Sequence, residues 1–309
     1  MTRRVILDVD PGVDDALAIL FAVKSKRLKV EAITTVSGNV HVDKGCLNAL
    51  KMLEVLGEES IPVAKGESRP LMRPHIGAEH IHGQDGLGDS GIPTPRLEPV
   101  SEDAVDLIGR KVSESEKGEF TLVATAPLTN IAQAFKREPL LAEKLDRLVF
   151  MGGAYGLTEY GRGNVTSDAE YNIYEDPEAA QIVFQSGARI TAVGLDVTMN
   201  PSTALISRHI EEMSSKPTPV TEVVRKITRK MLARWGRVYL HDPLAVAVAA
   251  DESLVKTERH SVDIDVGEGA IRGRTTVRDN GTLDNDVDVC VDIDAPRFLD
   301  VFLTTIMSS

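Results

Sequence analysis

Basic patches, paired cysteines and long apolar runs are all missing from this chain. Its 309 residues include 35 lysines and arginines against 47 aspartates and glutamates, a formal net charge of −12. A nucleic-acid or anionic-membrane surface needs such a patch to release counterions or meet lipid headgroups, so the charge balance argues against both partners. The two cysteines, Cys46 and Cys290, lie in a helical and a strand pattern without CxxC spacing and read as small core residues, neither disulfide nor metal ligands. No run approaches the ~20 apolar residues of a membrane span, and Met1 to Arg4 leads directly into an apolar strand without a signal-like segment. A cytoplasmic, reducing location is expected. Repeats, low-complexity tracts and flexible linkers are absent too, and 42% hydrophobic residues suffice for a large core, so one domain over residues 1–309 is expected.

What the chain does have is one unusual stretch near its start. Val5 to Val9 reads as a buried parallel strand and Ala16 to Val23 as a helix, which makes Asp10 to Asp15 the turn between them. In open α/β sheets ligands bind at such strand carboxyl ends. Asp8 and Asp10 are two apart on an extended strand and point the same way, while Asp14 and Asp15 open the helix, where the macrodipole favours negative charge. The dipole offers each carboxylate only about 0.3–1 kcal/mol, a weak remedy for charges this crowded. A bound cation is a better one, and hard oxygen ligands favour Ca²⁺ or Mg²⁺ over zinc. A plain helix cap explains Asp14 or Asp15 singly but not two aspartates ending a hydrophobic strand.

Further along, strand and helix patterns alternate. Val30 to Val36 is a strand ending at Asn39, Asp43 to Leu56 a helix closed by Gly57, and Ile61 to Ala64 a short strand. Residues 66–99 show no period and contain His75, His80 and His82; a loop that long in a compact domain is functional or mobile. A helix from Ser101, strand Phe120 to Ala124, a helix capped by Thr129, strand Arg147 to Met151, a helix behind Asp176-Pro177 and strand Ile190 to Val193 follow. Polar residues recur at strand carboxyl ends, namely Asp10, Asn39, Thr125 and Asp196, and would line one crevice. These elements predict a mostly parallel central sheet with surrounding helices, an α/β fold. After Pro201 helices dominate: Val220, Val223, Val224, Ile227, Met231, Trp235 and Val238 form one stripe, and Asp242-Pro243 reads as the cap of the helix Leu244 to Ala250. Most of that stripe reads as a core-facing helix, but Trp235 and Tyr239, just before His241, are placed to edge a pocket. The last strands, Val262 to Val266, Ile271 to Val277 and Val287 to Val291, with Asp279-Asn280-Gly281 between the last two, suggest hairpin additions to the sheet edge, and Ala295 to Ile306 is a helix.

Three chemistries suit an acidic turn of this kind. Asp8-Val9-Asp10 matches the spacing of haloacid-dehalogenase-type Mg²⁺ phosphatases, although the turn after it and the later motifs of those enzymes do not follow. A non-catalytic calcium- or carbohydrate-binding protein would use the turn but give His241 no role. The third is a hydrolase that uses both.

Asp8-Val9-Asp10-Pro11-Gly12-Val13-Asp14-Asp15 together with His241-Asp242-Pro243 closely resembles the inosine-uridine-preferring nucleoside hydrolase family. Further matches are Ala32 to Asn39, His80 to Gly83, Leu122 to Thr125, Leu128 to Asn130, Met151 to Gly153, Gly163-Asn164 and Ala169 to Asn172. The resemblance implies a Rossmann-like sheet with the site at its strand ends, hydrolysis of ribonucleosides to ribose and base, and a dimer or tetramer. It implies Ca²⁺ held by Asp10, Asp15, the carbonyl of Thr125 and Asp242, with Asp10 as the base and Asn39 positioning it. Asp14 and Asn172 would bond the ribose 2′- and 3′-hydroxyls, and Asn164 and Glu170 the 5′-hydroxyl. His241 would be the acid, with His82, Met151, Trp235 and Tyr239 about the substrate. Purine-specific members have a Trp where His241 stands, so the chain is similar to the histidine-using branch, with pyrimidine-preferring and broad members. The loop Ala154 to Gly163 is slightly longer than the family pattern, which bears on the placement of Asn164.

Overall fold

The computed structural model describes residues 2–278 and 286–308. The first half runs β1 (Arg3–Val9), α1 (Val13–Lys24), β2 (Leu28–Thr35), α2 (Val42–Leu56), β3 (Val63–Lys65), α3 (Glu79–His82), α4 (Ala104–Ser113), β4 (Phe120–Ala124), α5 (Thr129–Arg137), α6 (Leu140–Lys144) and β5 (Arg147–Met151). Then come α7 (Tyr171–Glu175), α8 (Pro177–Phe184), β6 (Ile190–Val193), α9 (Leu195–Thr198), α10 (Ser207–Ser214), α11 (Pro219–Trp235), α12 (His241–Ala250), β7 (Val255–Ile264), β8 (Thr275–Arg278), β9 (Asp286–Ile293) and α13 (Ala295–Met307).

One sheet collects all the strands in the order β3-β2-β1-β4-β5-β6-β9-β7-β8. From β3 to β9 neighbours are parallel, while β7 runs antiparallel to both β9 and β8. The expected mostly parallel α/β sheet is thus present, and β7 and β8 form an edge hairpin as expected, whereas β9, among the described residues, does not pair with β8 as a hairpin between the last two strands would require; it lies between β6 and β7. Asp279-Asn280-Gly281 lies outside the described residues. Strand alternation sorts the core into two layers. Val5, Leu7 and Val9 of β1 pack with α1, α2, α11, α12 and α13, whereas Ile6 packs on the other face with residues of α4, α5 and α8. Both faces are covered, which is why the central strands read as continuous apolar runs. Cys46 and Cys290 are free and buried. No helix among the described residues is long and apolar enough to cross a membrane.

The order reverses between β1 and β4, whose carboxyl ends carry Asp10 and Thr125, and this switch point is where a doubly wound sheet opens a crevice. Three local expectations are corrected. Thr129 does not cap α5; Leu128 holds that position, and the Thr129 hydroxyl donates to Asp176 Oδ2 at 2.7 Å. Asp242 is not a cap either, because α12 begins at His241, one residue before it, which leaves its carboxylate to face Asp14 and Asp15. Asp196 does not line the crevice as an open acid: its carboxylate accepts the backbone N–H groups of Tyr155, Leu157 and Thr158 and anchors the loop after β5.

Candidate active site

The turn after β1 is built from both sides. Asp15, in the first turn of α1, reaches back so that Oδ2 accepts the Gly12 N–H at 3.1 Å and Oδ1 the Asp10 N–H at 3.3 Å. His82 closes the same turn, its Nδ1 accepting the Val13 N–H at 3.0 Å. An accepting Nδ1 places the ring proton on Nε2, and burial pushes the His82 pKa down to about 4, so the imidazole is neutral near neutral pH. Only glycine fits beneath it: a Cβ on Gly12 would lie 2.5 Å from His82 Nδ1.

Asp10 is fully buried and held by one residue. The Asn39 N–H donates to Oδ2 at 2.6 Å and Asn39 Nδ2 to Oδ1 at 3.2 Å; Nδ2 also reaches Asp15 Oδ2 at 3.0 Å. A carboxylate offers about four lone-pair sites, so this clamp fixes the plane and leaves acceptor capacity for a water. Burial, and then the Asp15 charge, raises the Asp10 pKa well above the usual carboxylate range. Asp8 sits apart from Asp10. Its Oδ1 accepts from Thr34 Oγ1 at 2.7 Å and Asn130 Nδ2 at 2.8 Å, and burial lifts its pKa to about 7.

Among the described residues, Asp14, Asp15 and Asp242 form a group whose ligand atoms lie within 4.8 Å of one another. Asp14 Oδ1 is buried with no hydrogen-bond partner. Burial, with neighbouring carboxylates adding at Asp15 and Asp242, raises the pKa of all three. The Thr125 hydroxyl donates to Asp15 Oδ1 at 2.8 Å, so the carbonyl end of β4 lies against the same group. Oxygen donors, crowded charge and an orphaned acceptor fit a hard divalent cation.

That fit makes a thermal prediction. Carboxylates whose folded pKa lies above the unfolded value contribute stability that is present below the unfolded pKa and lost as pH rises through the folded one. For Asp8 the window runs from 3.8 to about 7, and Asp10, Asp14, Asp15 and Asp242 shift the same way. Chelator-treated protein should therefore lose stability across that range. A divalent cation should restore about 2.7 kcal/mol at a hundredfold excess over Kd, and more near about pH 8 than near about pH 5, where protons compete for the same oxygens. Unfolding midpoints with chelator and with added cation measure this; identical midpoints near about pH 8 would leave the site without a cation.

Across the crevice, Glu170 caps α7. Its Oε1 accepts the Asn172 N–H at 2.9 Å, and Oε2 accepts those of Gly153 at 2.9 Å and Ile173 at 3.1 Å. Burial raises the Glu170 pKa despite these donors. Asn172 Nδ2 donates to the Thr125 carbonyl at 3.1 Å and the Met151 carbonyl at 2.9 Å, bridging the ends of β4 and β5 and leaving its oxygen as the uncommitted acceptor. Asn164 is exposed, its Oδ1 accepting the Tyr171 N–H at 3.0 Å. On the remaining side, His241 Nδ1 meets Thr198 Oγ1 at 2.8 Å, and the Tyr239 ring lies 5.6 Å from the His241 ring. Burial lowers the His241 pKa, while the Asp14 charge raises it. Trp235 is 42% exposed with the Arg234 guanidinium over its ring. The fold thus gathers Asp10, Asp14, Asp15, Asn39, His82, Thr125, Met151, Glu170, Asn172, His241 and Asp242 about one crevice, with Tyr239 at its edge, and leaves Asn164 and Trp235 at the surface.

Several supports carry little sequence signal. Asn48 Nδ2 donates to the Pro11 carbonyl at 3.1 Å and the Asp85 carbonyl at 2.8 Å, pinning the acidic turn to the loop after α3. Its one clue is a polar residue among the buried Cys46, Ala49, Leu50 and Met52 of α2. Thr198 and Thr34 are ordinary residues in an apolar helix and strand, and their partners are remote in sequence.

Solved structures share this fold. The plant nucleoside hydrolase PpNRh1 superposes with a TM-score of 0.92 over 100% of both chains at 32% identity. The purine-preferring ribonucleoside hydrolase from Gardnerella vaginalis gives 0.90 over 99% of this chain and 98% of that one at 36% identity. The pyrimidine-specific ribonucleoside hydrolase RihA of Citrobacter koseri is 39% identical over 310 aligned residues, 97% of each chain. The fold is that of a nucleoside hydrolase. The chain belongs to the inosine-uridine preferring nucleoside hydrolase family, whose model matches residues 5–300. It is a ribonucleoside hydrolase, cleaving the N-glycosidic bond to release ribose and base, and the family is metal-dependent.

Proposed function

We propose that the cation is Ca²⁺, held by Asp10, Asp15, Asp242 and the Thr125 carbonyl, that Asp10 is the base and that His241 is the acid. The observation that carries this reading is a carboxylate oriented by Asn39 beside an acidic group containing an unpartnered oxygen. When bound, the ion supplies Lewis acidity and a template that holds water and the ribose diol together. Asp10 accepts the water proton. Asp14 and the Asn172 oxygen take the ribose 2′- and 3′-hydroxyls, and Glu170, its carboxylate already fixed by three N–H groups, takes the 5′-hydroxyl with Asn164 at the rim. The logic parallels inverting glycosidases, in which water attacks an oxocarbenium-like sugar opposite a leaving group that is protonated. With Nδ1 on Thr198, His241 offers Nε2 to the base. His82, Met151 and Tyr239 surround that end, with Trp235 outside it at the surface.

We further propose a pyrimidine-preferring or broad base range, supported by His241 and by the RihA relative's stated specificity. A cytoplasmic homodimer or homotetramer is also proposed, supported by two free buried cysteines and by Met72 and Ile76, which are 73% and 62% exposed.

One experiment tests acid and base range together. With uridine, cytidine and inosine, kcat/KM of the wild type should rank uridine or cytidine at or above inosine, and His241→Ala should lower all three by about 10²-fold. A nitrophenyl riboside, whose leaving group departs as a stable anion, should keep close to the wild-type rate. Equal losses on both substrate types would make His241 structural.

A further inference from the structure

The Gly38 carbonyl and the Asn39 N–H belong to one peptide group, and two side chains converge on its oxygen. Tyr171 Oη donates to Gly38 O at 2.7 Å, and His75 Nε2 lies 2.7 Å from the same atom. A carbonyl can only accept, so His75 carries its proton on Nε2. From the other end of that peptide, the Asn39 N–H donates to Asp10 Oδ2 at 2.6 Å. Space is closed on the side of Asp10, since a Cβ on Gly38 would lie 1.9 Å from Oδ2.

We propose that His75 and Tyr171 are positioning residues for the hydrolytic reaction, setting the orientation of Asp10 through the Gly38–Asn39 peptide. Two donors on one carbonyl fix the tilt of the peptide plane and polarise its N–H, which strengthens the bond that N–H makes to the carboxylate. Neither donor touches Asp10. Both are themselves anchored. The His75 segment is held by the Ala78 N–H to the Asn39 carbonyl at 2.8 Å, the Ile76 N–H to Glu175 Oε1 at 3.0 Å and the Leu71 N–H to Asp176 Oδ2 at 2.9 Å. Tyr171 stands between Glu170 and Asn172, so its hydroxyl links the sugar-facing turn to the peptide that holds the base. Burial raises the Tyr171 pKa far above neutrality, so it stays a donor wherever the enzyme works.

This inference rests on Asp10 being the base, and the experiment separates the two ideas. In calcium-loaded enzyme with uridine, Tyr171→Phe and His75→Leu should each lower kcat about five- to tenfold, the worth of one buried network hydrogen bond. KM should change by less than about twofold and bound calcium per chain should be unchanged, because uniform binding and the cation site are untouched. His75→Gln, which restores an N–H donor at similar reach, should recover most of the loss. In an Asp10→Asn background Tyr171→Phe should cost nothing further, since residues acting as a unit are non-additive. An unchanged kcat, a loss confined to KM, a loss accompanied by lost calcium, or a full additional loss on a crippled Asp10→Asn enzyme would each overturn the inference. Near wild-type turnover by Asp10→Asn itself would instead remove the base assignment, and the inference with it.

Discussion

Asp10→Asn should lower kcat on uridine by about 10²–10⁴-fold while the protein keeps its fold, because general-base catalysis contributes on that scale. The substitution is close to isosteric, and it trades one carboxylate oxygen for an amide that must face a donor. Asn39 donates to both Asp10 oxygens, so an amide placed there turns one hydrogen bond into a clash of donors, whichever way it flips. The buried charge disappears at the same time, which relieves Asp15 and Asp242, so the folded state is not expected to suffer. Loss of activity should therefore exceed any change in unfolding midpoint. Retention of kcat within about threefold of wild type would exclude Asp10 as the base.

The second large effect is discrimination against a missing hydroxyl. Asp14 Oδ1 is buried without a hydrogen-bond partner, its contact with His82 Nδ1 being 3.8 Å, so a ligand hydroxyl that donates to it satisfies an acceptor that makes no hydrogen bond within the chain. Uridine should be preferred over 2′-deoxyuridine by up to about 10⁴-fold in kcat/KM, the range seen when a site built to hydrogen-bond a hydroxyl meets an analogue lacking it. Uridine 5′-phosphate should also be poor, since its charges would stand beside the buried Glu170 carboxylate. Steady-state kinetics on the three compounds decides it. Comparable hydrolysis of all three would mean that Asp14 and Glu170 do not face the sugar.

Much of this site is local in sequence and was therefore legible there. Strand β1 and helix α1 are joined by three residues, so the crowding of Asp10, Asp14 and Asp15 follows from strand and helix geometry alone. Periodicity marks β4, β5 and β6 to the residue, because strands buried on both faces are uninterrupted apolar runs. The Asp176-Pro177 start of α8 and the Gly57 end of α2 were equally plain, since capping depends on neighbours only.

Other features depend on which strands become neighbours, and the pattern is silent about that. Asp8 and Asp10 look equivalent in sequence. In the fold Asp8 meets Thr34 and Asn130, while Asp10 meets Asn39. The difference arises because Asp8 lies beside Thr34 of β2 and Asn130 of α5, while Asp10, past the end of β1, faces Asn39 in the loop after β2. Asp242 reads as a helix cap and becomes a partner of Asp14 and Asp15 because α12 starts before it and packs against α1. The loop between β3 and α4 has no period and reads as mobile or functional, yet His75 within it is fixed on Gly38 O by contacts that exist only once α7 is in place. The sequence by itself determined the central parallel strands and the acidic turn, because both arise from interactions a few residues apart. The tertiary structure alone decided which carboxylate is clamped, which is shielded and which is left without a partner, because a buried charge takes its role from donors that arrive from distant parts of the chain.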